Sequence, residues 1–226
     1  MNKYVLSILL LFIGHFVSAQ TGYKQKLTDF SSITFPQQPI RLDTLGHTSY
    51  RYIDALATYV VTIRASTDKD MVLDAAELSE YYEGVIEGVL KAANGQLISK
   101  KEFELSGLSG VDFTYTASDN PNLPDLRFQR VIFINDELIV INFLTSSENK
   151  AAAENEVGKF FNSFVINSSG VELTQGAENP IAFKIGTLFG RFAGFSLTLG
   201  VLVGGVAIII FLVRKSTAKS KPDNRI

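Results

Sequence analysis

The chain has 226 residues, of which 46% are hydrophobic, and a formal net charge of −2. It contains no cysteine, which excludes disulfides, thiolate zinc sites and a lipid-modified cysteine. Between Gln20 and Pro180 there are 13 basic and 22 acidic residues, a net charge of −9. Because contacts to phosphates need Lys and Arg, we expect no nucleic-acid partner for so acidic a segment.

The N-terminus has the three parts of a secretory signal peptide. A short basic start, Met1–Lys3, precedes an apolar stretch, Tyr4–Phe16, and Val17–Ala19 ends with small residues where a signal peptidase reads them. We predict a signal peptide over 1–19, with cleavage before Gln20. An uncleaved N-terminal anchor is the alternative, although the apolar stretch is short for a membrane span.

Alternating and continuous apolar patterns predict the elements of an exported domain over residues 20–166. In chain order they are strands at Ser32–Phe35, His47–Ile53 and Leu56–Arg64, a helix at Ala75–Ala93, strands at Val111–Ala117, Arg127–Ile134 and Leu138–Thr145, and a helix at Ser147–Phe164. The last two strands are apolar on both faces, which is typical of central strands. Asn135 and Asp136 between them can form a tight turn, because both tolerate positive φ.

The two helices have apolar stripes that can cover such a sheet. Asp74 is a candidate N-cap of the first helix, and Asn94-Gly95 is a candidate stop. The stripes consist of Leu78, Tyr82, Val85 and Val89 in the first helix and of Ala153, Val157, Phe160, Phe161 and Phe164 in the second. The order of elements predicts an α+β fold, a mostly antiparallel sheet covered by helices on both faces.

Four short segments of this domain resemble PsbP-like domains, the family of the extrinsic P subunit of photosystem II. They are Phe30–Pro36 with Pro39 behind it, Leu108–Val111, Arg130–Phe133 and Phe160–Phe164. The resemblance covers roughly residues 30–166 and implies an antiparallel sheet between helices, with a non-enzymatic accessory role at a membrane complex. The photosynthetic members help to retain metal and halide ions, but no functional residue of theirs matches a position here.

Candidate catalytic and metal-binding groups are few. His47 is the only histidine after the signal, and a lone strand histidine is typical of a packing or surface residue. Asp68, Asp70 and Asp74 could hold calcium, but Leu73 stands where a calcium loop needs glycine. The sequence has no phosphate loop, nucleophile elbow or zinc-protease motif. We predict a protein that is not an enzyme and needs no cofactor or metal; calcium binding, or an enzyme using Ser, Lys, Asp or Tyr, are the alternatives.

Residues 167–191 have the composition of a stalk and a juxtamembrane segment. The part up to Pro180 is rich in Asn, Ser, Gly and Glu and has little to bury. Ile181–Arg191 mixes apolar residues with Lys184 and Arg191. It is an interfacial helix or, in the simpler interpretation, an extension of the following span whose basic side chains reach the headgroups.

The run Phe192–Val213 is apolar and uncharged, and at about 1.5 Å per helical residue it can cross a bilayer. The basic tail that follows predicts a cytosolic C-terminus; its topology determinants are Arg214, Lys215, Lys219 and Lys221. We therefore predict one transmembrane helix over 192–213, a cytosolic tail over 214–226 and a domain outside the cytosol, in the periplasm or the extracellular space. The bacterial inner membrane is the expected residence, and its lipid bilayer a partner.

Glycines at helical spacing suggest that the span associates with another helix. Gly190, Gly194 and Gly205 fall on one stripe, and Gly200 and Gly204 on a second. Small residues let helices approach closely in lipid, although glycine is also common in spans that do not associate. The sequence thus predicts a membrane-anchored accessory or binding protein that engages a protein partner or self-associates through its span. The alternative is a small-ligand or ion sensor of the cell envelope that acts through a partner subunit.

Overall fold

The computed structural model of the chain describes residues 22–44, 46–65, 75–118, 120–167 and 173–175. The predicted signal peptide, the span with its candidate association face (Gly190, Gly194, Gly200, Gly204 and Gly205) and the basic tail lie outside these residues, as do Asp68, Asp70 and Asp74. Within the described ranges, no helix combines the length and the apolar character that a bilayer crossing requires.

The described residues form ten strands and two α-helices. The strands are β1 (Tyr23–Lys26), β2 (Ser31–Phe35), β3 (Ile40–Thr44), β4 (His47–Ile53), β5 (Thr58–Ala65), β6 (Gln96–Leu105), β7 (Leu108–Thr116), β8 (Leu126–Ile134), β9 (Glu137–Thr145) and β10 (Val165–Ile166); the helices are α1 (Ala75–Ala92) and α2 (Lys150–Asn162). A 3-10 turn over Ser147–Asn149 leads into α2. Both predicted helices and all six predicted strands are present, with boundaries shifted by a few residues.

Seven strands form one antiparallel sheet in the order β3-β4-β5-β9-β8-β7-β6, and β1, β2 and β10 form a separate three-stranded sheet. The apolar strands β8 and β9 pair with each other near the middle of the large sheet, which confirms the prediction of central strands. Asn135 and Asp136 join them with φ values of 46° and 63°. Both residues therefore adopt the left-handed conformation that a two-residue hairpin turn needs.

The two faces of the large sheet have different cover. On one face α1 buries Tyr82, Val85 and Val89 against strands β7, β8 and β9. On the other face α2 shares the core with the three-stranded sheet, whose Ile33 and Phe35 are fully buried. The prediction that helices cover both faces is therefore corrected. The mostly antiparallel sheet is confirmed, but the helices alone do not cover it, and a second sheet layer completes one face.

Strands β1, β3, β6 and β10 have no counterpart in the sequence prediction. The outer strands β3 and β6 are largely exposed on both sides, so no apolar alternation marks them. Each pairs with a single neighbour, β4 or β7, in the large sheet. Their structure therefore depends on backbone hydrogen bonds to a neighbour, which composition does not reveal.

The central strands β8 and β9 also differ from their predicted character on the α1 side. Arg127, Gln129 and Asn142 occupy that face between the apolar positions, and all three are buried. The hydroxyl of Tyr115 lies 3.3 Å from the Gln129 side-chain oxygen. The strands are thus apolar on both faces only in part, because a band of polar groups runs across one face.

Candidate functional site

An ion pair lies on the α2 side of the sheet, where β7 and β8 place Asp112 opposite Arg130. The guanidinium donates to both carboxylate oxygens, from Nε at 2.7 Å and from Nη2 at 2.8 Å. The Arg130 side chain is 11% exposed and that of Asp112 is 26% exposed. Such a two-point contact fixes the geometry of both groups more tightly than a single hydrogen bond would.

Arg130 also holds the C-terminal end of α2. Its Nη1 donates to the backbone oxygen of Phe161 at 2.8 Å, which also accepts from the Phe164 amide at 3.2 Å in the turn that ends the helix. The guanidinium carbon lies 4.2 Å from the ring centre of Phe103 and 5.1 Å from that of Phe161. All three nitrogens of Arg130 are thus engaged, which makes it a group that fixes α2 rather than one that awaits a ligand.

Beside this ion pair an open cleft separates α2 from the outer strands of the sheet. The cleft, here named the α2 cleft, has a volume of about 350 Å³. It is lined by Ser99, Lys101, Asp112, Phe113, Thr114, Phe128, Arg130, Glu154, Val157, Gly158, Phe161 and Asn162. Its strand side thus carries hydroxyls and Lys101, and its helix side combines apolar groups with Glu154.

Gly158 gives the α2 cleft its width. It lies in the interior of α2, and a Cβ atom added to it would meet nothing within 4 Å. Glycine in a helix interior costs about 1 kcal/mol relative to alanine, and no positive φ or close backbone contact requires it here. The glycine therefore keeps space open in front of the helix, at a cost in helix stability.

Two further cavities meet at Glu137, the first residue of β9. One of about 450 Å³ contains Asp43 and His47 in its lining, and one of about 620 Å³ contains Asp29. The Glu137 Oε2 atom is buried and accepts no hydrogen bond. Burial, followed by the nearby charge of Asp29, raises the pKa of Glu137. This carboxylate is thus held in a setting that favours its neutral form.

The described end of the chain is attached to the sheet by an amide side chain. The β7–β8 ladder ends with the pair Gly110–Ile132, so Ser109 and Phe133 would form its next pair. Instead, Gln175 Oε1 accepts from the Ser109 amide at 2.7 Å, and Gln175 Nε2 donates to the carbonyls of Ser109 at 2.7 Å and of Phe133 at 2.8 Å.

The hydroxyl of Tyr82 from α1 completes this arrangement. It accepts from the Phe133 amide at 3.0 Å and donates to the Ser109 carbonyl at 2.8 Å. Burial raises the pKa of Tyr82, so the hydroxyl keeps its proton. Together Tyr82 and Gln175 bind both backbone groups of Ser109 and both of Phe133. These side chains thus replace the hydrogen bonds that the next β7–β8 backbone pair would have made.

Thr174, next to Gln175, is fixed to the β8–β9 turn. Its amide donates to Asn135 Oδ1 at 2.8 Å, its carbonyl accepts from the Asn135 amide at 3.0 Å, and its hydroxyl lies 3.2 Å from the same Oδ1. Leu173 packs against the apolar cluster on the α2 side. Residues 173–175, which the sequence assigned to the stalk, are thus in contact with the domain.

Among the sequence candidates, His47 begins β4 and lines a cavity together with Asp43. The described residues contain no group of three His, Asp or Glu side chains placed to hold a metal ion. The predicted topology determinants Arg214, Lys215, Lys219 and Lys221 lie outside them.

The groups that build the α2 cleft went unrecognised in the sequence. Arg130 and Asp112 are single charged residues within predicted strands, and their pairing depends on strand register, which composition does not give. Gly158 had a usable signal, since a glycine inside an otherwise continuous helical pattern lowers helix stability and requires a reason.

No family model and no curated protein matches the chain. It is similar to the solution structure of the cyanobacterial PsbP protein CyanoP from Synechocystis sp. PCC 6803, with a TM-score of 0.49 and 16% identity over 67% of this chain and 95% of that one. It is also similar to the crystal structure of a protein of unknown function from Pseudomonas aeruginosa, described as a putative regulator, with a TM-score of 0.42 and 13% identity over 63% and 94% of the two chains. At these values neither similarity extends to a ligand, partner or activity.

Proposed function

We propose that the protein is an exported, single-pass membrane protein without catalytic activity, whose domain binds a membrane-associated protein partner in the α2 cleft. Anchoring is supported by the apolar run Phe192–Val213 and the basic residues Arg214 and Lys215 behind it. The sequence resemblance to PsbP-like domains supports an accessory role. On this proposal the domain stands outside the cytosol of a bacterial cell, and the tail lies inside.

The observation that supports binding at this place is the open space in front of Gly158. Most side chains other than proline would stabilise the helix at position 158, and glycine there leaves room for an occupant that comes close to the helix backbone. Lys101 and Glu154 line the cleft on its strand and helix sides, and neither forms an ion pair with another described residue. Glu154 thus offers a carboxylate without an ion-pair partner to the bound protein, and position 101 lies on the strand side, where a probe can report occupancy.

The test fills the cleft without disturbing the fold. In Gly158→Met the side chain enters empty space, and the helix gains about 0.8 kcal/mol from the removal of glycine. A photoreactive residue at Lys101 reports occupancy in native membranes. We expect Lys101 to give one reproducible protein adduct in the otherwise unchanged chain and to lose it in Gly158→Met.

Ala152→Met is the matched control, because Ala152 is an exposed residue of the same helix that does not line the cleft. It adds the same side chain and should leave the adduct intact. An adduct that persists in Gly158→Met, or that disappears equally in both variants, would contradict binding in the α2 cleft.

The cavities at Glu137 favour a second candidate, a sensor of a small ligand. Here the buried, unpartnered carboxylate oxygen of Glu137 would accept a hydrogen bond from the ligand. Native mass spectrometry of the full chain in detergent tests this. A small molecule that accompanies the monomer and is lost in Glu137→Gln would favour the sensor, and a ligand-free monomer would exclude it.

A further inference from the structure

The attachment of Thr174 and Gln175 bears on how the domain is held at the membrane. A flexible stalk would begin where the last strand ends, after Ile166, and would leave the domain free to take any orientation. Gln175 instead makes three hydrogen bonds to the sheet, each between 2.7 and 2.8 Å. Residues 173–175 are therefore part of the folded domain and not of a flexible stalk.

We infer that Gln175 is a latch that fixes the exit of the chain at one end of the large sheet, so that this end faces the lipid surface. The inference rests on the membrane anchoring proposed above. The end in question, here named the latch end, carries the β6–β7 turn at Ser106–Gly107 and the β8–β9 turn at Asn135–Asp136. The opposite end of the sheet then points away from the bilayer.

The latch also shortens the tether. Eight residues, 168–175, follow Asn167, whose amide donates to the Phe30 carbonyl, up to the end of the latch. At full extension they would span roughly 28 Å, close to the length of a nine-residue strand of the sheet. Binding at Gln175 removes this length from the tether, and the remaining residues before the predicted span, 176–191, then start at the latch end, which biases that end toward the bilayer.

The amide of Gln175 suits this role because it reproduces the hydrogen bonds of a backbone. It offers one acceptor and two donors, and all three are used on Ser109 and Phe133. The carbonyl of Ser109 accepts from Tyr82 as well, so the tether is connected through one backbone group to α1. An alanine at position 175 would leave the Ser109 amide and the Phe133 carbonyl without these partners.

An oriented domain limits the kind of partner that fits the α2 cleft. Arg130, at the floor of the cleft, is four residues from Ile134 at the latch end, about 13 Å along β8. With the latch end toward the lipid, the cleft therefore opens parallel to the membrane plane, about 13 Å along the strand from the end that faces the bilayer. This position favours a partner that is itself held in the same membrane, because confinement of both proteins raises their effective concentration.

The experiment compares two positions at opposite ends of one exposed strand. The chain has no cysteine, so Glu104→Cys and Gln96→Cys can each be labelled alone with a fluorescent donor. The two sites are separated by about 26 Å along β6. The labelled full chain is reconstituted in vesicles of phosphatidylethanolamine and phosphatidylglycerol that contain an acceptor lipid.

We expect stronger energy transfer to the lipid from position 104, at the latch end, than from position 96. In the double variant Thr174→Pro/Gln175→Ala, which removes the Gln175 amide and both donors of Thr174 to Asn135, the two transfer efficiencies should approach each other, because the domain can then reorient. Circular dichroism of each variant checks that the fold is kept. The comparison of positions 104 and 96 is also made in the chain that keeps Gln175, so it does not depend on how the latch substitution affects folding.

Two different failures remain distinguishable. A labelled chain that does not float with the vesicles overturns the anchoring proposal itself. A chain that floats but gives equal transfer from both positions, or whose difference is unchanged in Thr174→Pro/Gln175→Ala, overturns the latch while leaving the anchor and the α2 cleft as proposed.

Discussion

The two helices pack on the large sheet in different ways. The α1 helix fits closely, and its Tyr81, Val85 and Val89 are fully buried against the sheet. The α2 helix is buried through Phe160, which contacts Phe35 and Tyr59 at ring distances of 5.3 and 5.0 Å, but stands away from β6 and β7 at Gly158.

This difference separates stability from binding within one domain. The α1 interface buries side chains from Leu78 to Val89 on every turn, which is the arrangement that maximises buried apolar area. The α2 interface is held by aromatic residues and by Arg130, which leaves a cleft along one side. We therefore expect substitutions on the α1 side to change stability alone, and substitutions beside Gly158 to change binding first.

Arg130→Met should have the largest effect on this comparison. It removes the guanidinium that binds the partly buried Asp112 carboxylate and the Phe161 carbonyl, so Asp112 loses its ion-pair partner and the Phe161 carbonyl is left with the hydrogen bond from the Phe164 amide. Loss of one member of a buried pair costs about 3 kcal/mol of unfolding free energy. Urea unfolding of the full chain in detergent measures it.

Arg130→Lys is the control, because it keeps the charge but cannot make the two-point contact or stack on Phe103. The unfolding free energy of Arg130→Lys should lie between those of the original chain and of Arg130→Met. If Arg130→Met were as stable as the original chain, Arg130 would not be the group that fixes α2.

Tyr82→Phe tests the closely packed α1 side with a single atom. It keeps the buried ring and removes the hydroxyl between the Phe133 amide and the Ser109 carbonyl. An unsatisfied buried donor costs about 1 to 3 kcal/mol, so unfolding free energy should fall by that amount while the Lys101 adduct is kept. Hydrogen exchange of the Phe133 amide should accelerate. If Tyr82→Phe lost the Lys101 adduct while its unfolding free energy stayed unchanged, the assignment of stability to the α1 side and of binding to the α2 side would be contradicted.

The parts of the fold that follow from the sequence are those that pack an apolar face. Both helices and the central strands β8 and β9 show their pattern because burial selects apolar residues at a fixed period. The exposed outer strands show no such pattern, and the three-stranded layer depends on contacts between residues far apart in sequence, such as Val165 with Ser32.

The candidate site was even less accessible from the sequence. The pairing of Asp112 with Arg130 is a consequence of register, and that of Gln175 with Ser109 joins residues 66 positions apart. Only Gly158 could be suspected locally, because a helix interior disfavours glycine. Polar side chains that replace backbone partners, such as Gln175, leave no periodic trace.

The smallest effects concern pH and act in opposite directions at two carboxylates. Burial, with the charge of Asp29, raises the pKa of Glu137 in the folded protein. The folded state then binds this proton more tightly than the unfolded state, whose glutamate titrates at about 4.3. The stability that this group contributes is therefore present at acidic pH and is lost as the pH rises through the raised value. Glu137→Gln should stabilise the protein at pH 7 and have a diminishing effect near pH 4.

Asp125 is the matched opposite case. The hydroxyl and amide of Ser147, at 2.5 and 2.9 Å, lower the pKa of the Asp125 carboxyl and fix the turn that begins α2. Its contribution is present above the unfolded value of about 3.9 and is lost as the pH falls through the lowered one. Asp125→Asn should therefore destabilise at pH 7 and match the original chain at strongly acidic pH. Urea unfolding at several pH values measures the unfolding free energy of both variants. If both substitutions stabilised the protein at pH 7, or both destabilised it, the opposite pKa shifts of the two carboxyls would be contradicted.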